Sequence, residues 1–285
     1  MSDDSTLAYA NLAPDDIFAA LEDVGYRCSG RFLALNSYEN RVYKLGIDDA
    51  DDIVAKFYRP GRWSDAAIRE EHRFAQQLAD AEIPVVPPDA VDGETLFRSG
   101  PFRFALYPCR GGRAPDLDDF SLLRQLGRFV ARIHLIGEQA AFEHRPRIDV
   151  SSYGVSSRDY LLDEDVIPDE MREVYAGIAD EVVAGVAQAY QRAGPTRELR
   201  THADFHPGNV LVADRVCHIV DLDDTRTAPA VQDLWMFLSG DRDEQTPQLA
   251  ALLDGYREFR DFDARELHLI EALRSLRIMH YAAWL

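Results

Sequence analysis

The chain has 285 residues, 46% of them apolar, and carries 31 basic against 50 acidic residues for a formal charge of −19. That length suits one large or two ordinary globular domains. The charge argues against a nucleic-acid or anionic-membrane partner, because phosphate-rich surfaces demand clustered Lys and Arg.

No apolar run reaches the ~18 residues of a membrane span. The opening MSDDSTLAYANLAPDD lacks the basic and then apolar layout of a signal peptide, so cytoplasmic residence is expected. Cys28, Cys109 and Cys217 are too few and too scattered for a disulfide framework or a zinc site. A second bias is sharper. Of the 31 basic residues only Lys44 and Lys56 are lysines. Arginine and lysine exchange where surface charge alone matters, but not where a compact ammonium must fit, which singles out Lys56.

Residues 14–24 read as a short amphipathic covering helix with Asp15 and Asp16 in its first turn. Residues 31–35, 40–46 and 53–57 have strand length and patterning and predict an antiparallel meander. A helix follows over 64–81, with Ser64 as N-cap and Ile68, Glu71, Phe74, Ala75 and Leu78 on one face. A carboxylate on that apolar stripe needs a partner, and Lys56 on the third strand is the natural one. Glu71 is preferred to Glu70, which points away from Phe74 and Leu78. Strands near 85–88, 95–97 and 102–107 complete a small sheet, and the Pro- and Gly-rich stretch 108–113 reads as a hinge.

Beyond it the pattern turns helical. Residues 119–137 and 171–193 carry apolar residues at helical spacing, and these stripes are core. His134 reads as a structural, hydrogen-bonded histidine, and the turn-rich stretch 144–168 as part of a substrate rim. Helices are expected over 229–238, 245–259 and 264–285.

The densest chemistry lies in 201–224, THADFHPGNVLVADRVCHIVDLDD. Residues 210–212 and 218–220 read as buried strands joined by a turn at 213–215, so Asn209 and Asp221 emerge at one end of a hairpin. Oxygen ligands brought side by side, downstream of the carboxylate of Asp204, suit a hard cation. Mg²⁺ takes carboxylate and amide oxygens and completes its shell with water and substrate phosphates. The spacing therefore points to phosphoryl transfer from a nucleotide.

These residues resemble a known family. His202-Ala203-Asp204 with Asn209 is similar to the catalytic loop of protein kinases and aminoglycoside phosphotransferases, and Ile219-Val220-Asp221 stands where their metal-binding Asp does. A closer resemblance, from about residue 30 to the end, is to the bacterial stress response kinase A group. It rests on Leu35-Asn36-Ser37-Tyr38-Glu39-Asn40-Arg41-Val42-Tyr43, on Lys56-Phe57-Tyr58-Arg59-Pro60, and on Asp221-Leu222-Asp223-Asp224 followed by Gln232-Asp233-Leu234-Trp235-Met236.

The resemblance implies an α+β, bilobal protein-kinase-like fold. An antiparallel N-lobe would span 1–107, a hinge 108–113, and a helical C-lobe 114–285 would carry the catalytic loop and metal site. It implies that Asp204 accepts or orients the acceptor proton, that Asn209 and Asp221 hold Mg²⁺, with Asp223 holding a second ion or a water, and that Lys56, anchored by Glu71, clamps the ATP phosphates. Ser37 stands where kinases place a phosphate-covering loop, here without glycine, and backbone near Leu106 and Tyr107 would hold adenine. Asp233 resembles the helical Asp that accepts hydrogen bonds from the catalytic-loop backbone. Relatives continue past an end like His280 to Leu285, so either a closing segment is missing or the terminus is buried.

The expected acceptor is Ser or Thr of proteins, with autophosphorylation possible, acting as a monomer. The alternative acceptor is an aminoglycoside or choline-like alcohol. Two further readings use the same residues. His202, Asp204, His206, Asp221 and Asp223 could hold two metal ions in a phosphoesterase, although Pro207-Gly208 breaks the required strand. The chain could also be an inactive nucleotide-binding module, which would have no need of Lys56, Asp204, Asn209 and Asp221 together.

Overall fold

The computed structural model describes residues 9, 12–37, 39–164 and 166–284. Most of the acidic N-terminal stretch, Tyr38 of the first strand connection and the terminal Leu285 lie outside the described residues. In chain order the elements are α1 (Pro14–Asp23), β1 (Cys28–Leu35), β2 (Arg41–Ile47), β3 (Ile53–Tyr58), α2 (Asp65–Asp80), β4 (Phe97–Ser99), β5 (Phe102–Pro108), α3 (Phe120–Gly137), α4 (Ser156–Asp163) and α5 (Asp169–Ala193). They continue with β6 (Glu198–Thr201), β7 (Val210–Ala213), β8 (Val216–Ile219), β9 (Arg226–Pro229), α6 (Gln232–Trp235), α7 (Arg242–Tyr256) and α8 (Ile270–Trp284).

Contacts divide the chain into two units, residues 1–114 with 210–223, and residues 115–209 with 224–285. The first unit holds a five-stranded antiparallel sheet in the order β1-β2-β3-β5-β4. Side chains alternate across it. Ala55 and Phe57 of β3 join Ile17, Ala20 and Leu21 of α1 in one core, whereas Tyr58 packs with Ile68 of α2 on the other face. Lys56 shares the α2 side with Tyr58. The expected cap of α2 is present, Ser64 Oγ accepting from the Ala67 N–H at 3.1 Å.

The β7–β8 hairpin belongs to this unit, which a contiguous division of the chain does not express. Backbone bonds explain it. Val86 N–H donates to the Ile219 carbonyl at 2.9 Å and Ile219 N–H to Pro84 at 2.7 Å, while Arg113 and Val212 exchange bonds of 3.0 and 2.8 Å. Gly112 permits that approach, since a Cβ there would stand 2.7 Å from the Val212 nitrogen. The hairpin turns on Asp214 and Arg215, whose φ values of 50° and 65° define a tight turn of the type that matches strand twist.

In the second unit, α3 and α7 pack where Gly127 lies against the Leu252 carbonyl and Gly255 against that of Arg124, so the helix backbones meet with no side chain between them. A separate core of Val186, Ala189, Val231, Trp235, Leu269, Leu273 and Leu276 ties α5, α6 and α8 together. No helix among the described residues is long and apolar enough to cross a membrane.

Several expected boundaries differ. The stretch 85–88 forms only an isolated bridge, Val85 with Ile219, because its backbone bonds are spent on the hairpin. The helix expected over 229–238 is one turn, α6, since Arg226–Pro229 pairs with Glu198–Thr201 as a strand. Helix α7 begins at Arg242 rather than 245 because Asp241 and Glu244 form a capping box there. The last helix starts as a 3₁₀ turn over Ala264–Leu269 capped by Asp263, and part of the turn-rich 144–168 is helical as α4.

Candidate active site

In the first unit the chemistry gathers on Lys56. Its Nζ lies 2.9 Å from Asp221 Oδ1 and 3.2 Å from Asp223 Oδ1, with the Lys56 side chain 7% exposed. Burial alone would drive such an ammonium toward neutrality, but Asp221 and Asp223, with lesser help from Tyr107 and Glu71, hold its pKa well above the usual lysine range. Asp223 is buried, and its Oδ2 accepts from Asn40 Nδ2 at 3.2 Å. Asn40 Oδ1 in turn accepts from the Arg59 N–H at 3.1 Å, so the strand connection fixes the amide that fixes the carboxylate. Asp221 differs, its side chain being 51% exposed while its φ is 59°. A left-handed residue other than glycine stores backbone strain, and such strain concentrates at functional sites.

Glu71 is buried on α2 and close enough that its charge favours the Lys56 ammonium. Glu70 is buried as well, contrary to the expectation that it faces away, so burial does not choose between them and proximity to Lys56 does. Ser37 is half-buried in the β1–β2 connection. Leu106 is fully buried and its carbonyl already accepts from Asp89 N–H at 2.7 Å. The Tyr107 hydroxyl lies 3.1 Å from that of Tyr58, which lies 2.8 Å from His72 Nε2. Burial is the main cause that pushes both phenols above their ordinary range.

In the second unit the loop that begins at His202 is clamped by buried polar groups. Asp233, fully buried on α6, accepts from the His202 N–H at 2.9 Å and the Ala203 N–H at 2.8 Å. His134 Nε2 reaches the same carboxylate at 3.1 Å and its Nδ1 the Tyr256 hydroxyl at 2.9 Å, which makes His134 the structural histidine expected. Gln232 adds a bond from Nε2 to the Ala203 carbonyl at 2.7 Å. These bonds hold Ala203 at φ 66°, a strained turn that sets the direction of Asp204.

Asp204 Oδ1 lies 2.6 Å from Arg277 Nη1 on α8, and Oδ2 faces His206 Nε2 at 3.6 Å and Asn209 Nδ2 at 3.5 Å. Asn209 Nδ2 also donates to the Asp204 carbonyl at 3.0 Å, which leaves the amide oxygen as the free ligand atom. The chain then enters β7, and Val210 pairs with Ile219, so the hairpin register brings its entry and the exit toward Asp221 to one end. Among the described residues no three His, Cys, Asp or Glu side chains converge on a common point.

Asn40 and Arg277 were not identified from sequence as site residues. Asn40 lies in the Leu35 to Tyr43 motif, where nothing in the sequence marks its amide for a site. Arg277 has no local signal, because only the folding of α8 against the loop brings it to Asp204.

The sheet unit, the helical unit and the clamped loop are those of a kinase-like phosphotransferase fold. The amicoumacin kinase hAmiN, solved in complex with AMP-PNP, Ca²⁺ and Ami, superimposes with a TM-score of 0.77 at 17% identity over 95% of this chain and 86% of that one. Residues 31–269 match the model of the phosphotransferase enzyme family. Stress response kinase A of Escherichia coli (strain K12) is 42% identical over 281 residues, covering 99% of this chain and 85% of that protein. The serine/threonine protein kinase RdoA of Salmonella typhimurium (strain LT2) is 39% identical over 282 residues, with the same coverage. The chain belongs to the stress response kinase A family within the phosphotransferase enzyme family.

Proposed function

We propose that the chain is an ATP-dependent protein kinase that moves the γ-phosphoryl group of ATP to Ser or Thr hydroxyls in the cytoplasm. One observation carries this reading. A buried lysine is kept charged by two carboxylates, one of them half-exposed and strained, in a chain with only one other lysine. A buried ammonium of this kind costs free energy unless a stronger anion is to be met there, and the phosphates of a nucleotide are such an anion.

Each candidate donor, taken by itself, carries the hard oxygen that Mg²⁺ prefers. The amide oxygen of Asn209 is left available by its Nδ2 bond, and the exposed carboxylate of Asp221 offers hard oxygen. Bound Mg²⁺ would supply positive charge to the phosphate oxygens and hold them for in-line displacement. Lys56 binds the α and β phosphates, with Glu71 favouring its charge. Asp223, with one oxygen on Lys56 and the other on Asn40, serves to aim the lysine. Ser37 contributes to covering the phosphates. Since the Leu106 carbonyl is engaged by Asp89, adenine contacts fall to the remaining backbone of this stretch around Tyr107.

Asp204 receives the acceptor hydroxyl on Oδ2, the oxygen that is not paired with Arg277, and takes its proton as the bond to the γ phosphorus forms and the bond to the ADP oxygen breaks. The strained loop and its Asp233 clamp keep that carboxylate in place. Most of the rate enhancement is then positional and electrostatic. Transfer of label from γ-labelled ATP by the wild type and by Asp204→Ala and Asp221→Ala tests the assignment. Both variants should fall by at least about a hundredfold, and undiminished transfer in both would end it.

A further inference from the structure

Among the described residues the Asp204 carboxylate is approached by nitrogen-bearing side chains, Arg277 on Oδ1 and His206 and Asn209 on Oδ2. Arg277 is 37% exposed on its side chain, and among the described residues its ion pair is with Asp204. The neighbouring arginine on α8 is used otherwise, since Arg274 pairs with Glu271 at 2.8 Å and lies 5.5 Å above the Trp235 ring. Arg277 therefore keeps most of its five donors and an accessible positive charge beside the carboxylate that meets the acceptor. In a chain of charge −19 an accessible cation here runs against the overall charge balance.

We propose that Arg277 sets the charge of the acceptor: held on Asp204, it favours hydroxyls flanked by neutral or acidic groups and rejects cationic acceptors such as amino sugars and choline-like alcohols. It also positions Asp204 by occupying Oδ1, so that Oδ2 is the oxygen offered to the hydroxyl. The inference rests on the kinase reading above and adds the substrate class to it. Two unit charges about 6 Å apart at an effective dielectric of roughly 40 alter an equilibrium by about tenfold, which is the size of the selectivity expected.

The experiment uses the full chain as wild type, Arg277→Gln and Arg277→Lys, with Mg·ATP and three peptides whose single serine is flanked on both sides by Glu, Ala or Lys. Far-ultraviolet dichroism and a melting curve check each fold. In the wild type kcat/KM should fall in the order Glu, Ala, Lys. Arg277→Gln should compress the Glu-to-Lys ratio about tenfold, and Arg277→Lys, which keeps the charge, should retain most of it. A purely structural role would lower all three peptides together, and an unchanged ratio in Arg277→Gln overturns the proposal. Transfer by the wild type to none of the peptides while it still labels itself or another protein also overturns it and leaves the kinase reading standing. Transfer to no acceptor of any kind overturns both.

Discussion

Replacing Lys56 with Met removes the ammonium while leaving a side chain of similar length over the Tyr58 ring, which the lysine nitrogen now approaches at 5.3 Å from the centroid. Breaking a buried ion pair by deleting one partner costs about 3–5 kcal/mol, because the other charge is stranded. Here the two carboxylates are not equally stranded. The Asp221 side chain is 51% exposed and rehydrates in place, so its share is screened, whereas that of Asp223 is 6% exposed and stays buried with Asn40 donating to it. The expected loss is therefore at the lower end, about 3 kcal/mol. A chain of two units need not unfold in one step, so the loss is best read locally, by hydrogen exchange of the β3 and β5 amides. About a hundredfold faster exchange in Lys56→Met is expected. Adding Asp223→Asn removes the stranded charge and should recover about 1–2 kcal/mol. Equal protection in wild type and Lys56→Met, or no recovery in the double variant, would refute the claim that two acids and one lysine are energetically coupled.

Other outcomes follow from the second unit. Asp233→Ala leaves the His202 and Ala203 N–H groups and His134 Nε2 without their acceptor, and should cost about 3–5 kcal/mol in a denaturant titration and abolish transfer. Glu266 accepts from the Val231 N–H at 2.9 Å, and burial raises its pKa from 4.5 to about 7. The folded state thus holds this proton more tightly than the unfolded state, so its contribution is complete below pH 4.5 and is lost as pH climbs to about 7, in all about 3 kcal/mol. Glu266→Gln should be more stable than wild type at pH 8 and close to it at pH 4.5, and equal differences at the two pH values would contradict this. Gly127→Ala drives a methyl into the Leu252 carbonyl and should lower the melting temperature through a cost of about 1–3 kcal/mol.

The parts of the fold that were legible in the sequence are those written in local chemistry. Ser64 announced the start of α2, the alternation of 53–57 announced β3, and the apolar run around Asp214-Arg215 announced the hairpin. The rarity of lysine pointed to Lys56, whose expected partner was Glu71 and whose ion pairs are with Asp221 and Asp223. What was not legible depends on tertiary placement. The pairing of Glu198–Thr201 with Arg226–Pro229 is set by nothing within either segment, and it shortened the helix expected after Pro229. Burial of both Glu70 and Glu71 reflects packing on two sides of α2, which a single apolar stripe does not anticipate. The hairpin joined the sheet unit through backbone bonds from Val86 and Arg113, groups that every residue carries and that no motif marks. Arg277 reached the loop residue Asp204 from helix α8, and no spacing rule links the two.

The central claim is best tested by incubating the full chain with Mg²⁺ and γ-labelled ATP, alone and with a mixture of proteins, beside Asp221→Ala, and then hydrolysing the labelled protein to its phosphoamino acids. The account predicts label on serine or threonine in the wild type and almost none with the variant. Label confined to small molecules, or equal labelling with and without the Asp221 carboxylate, would contradict it.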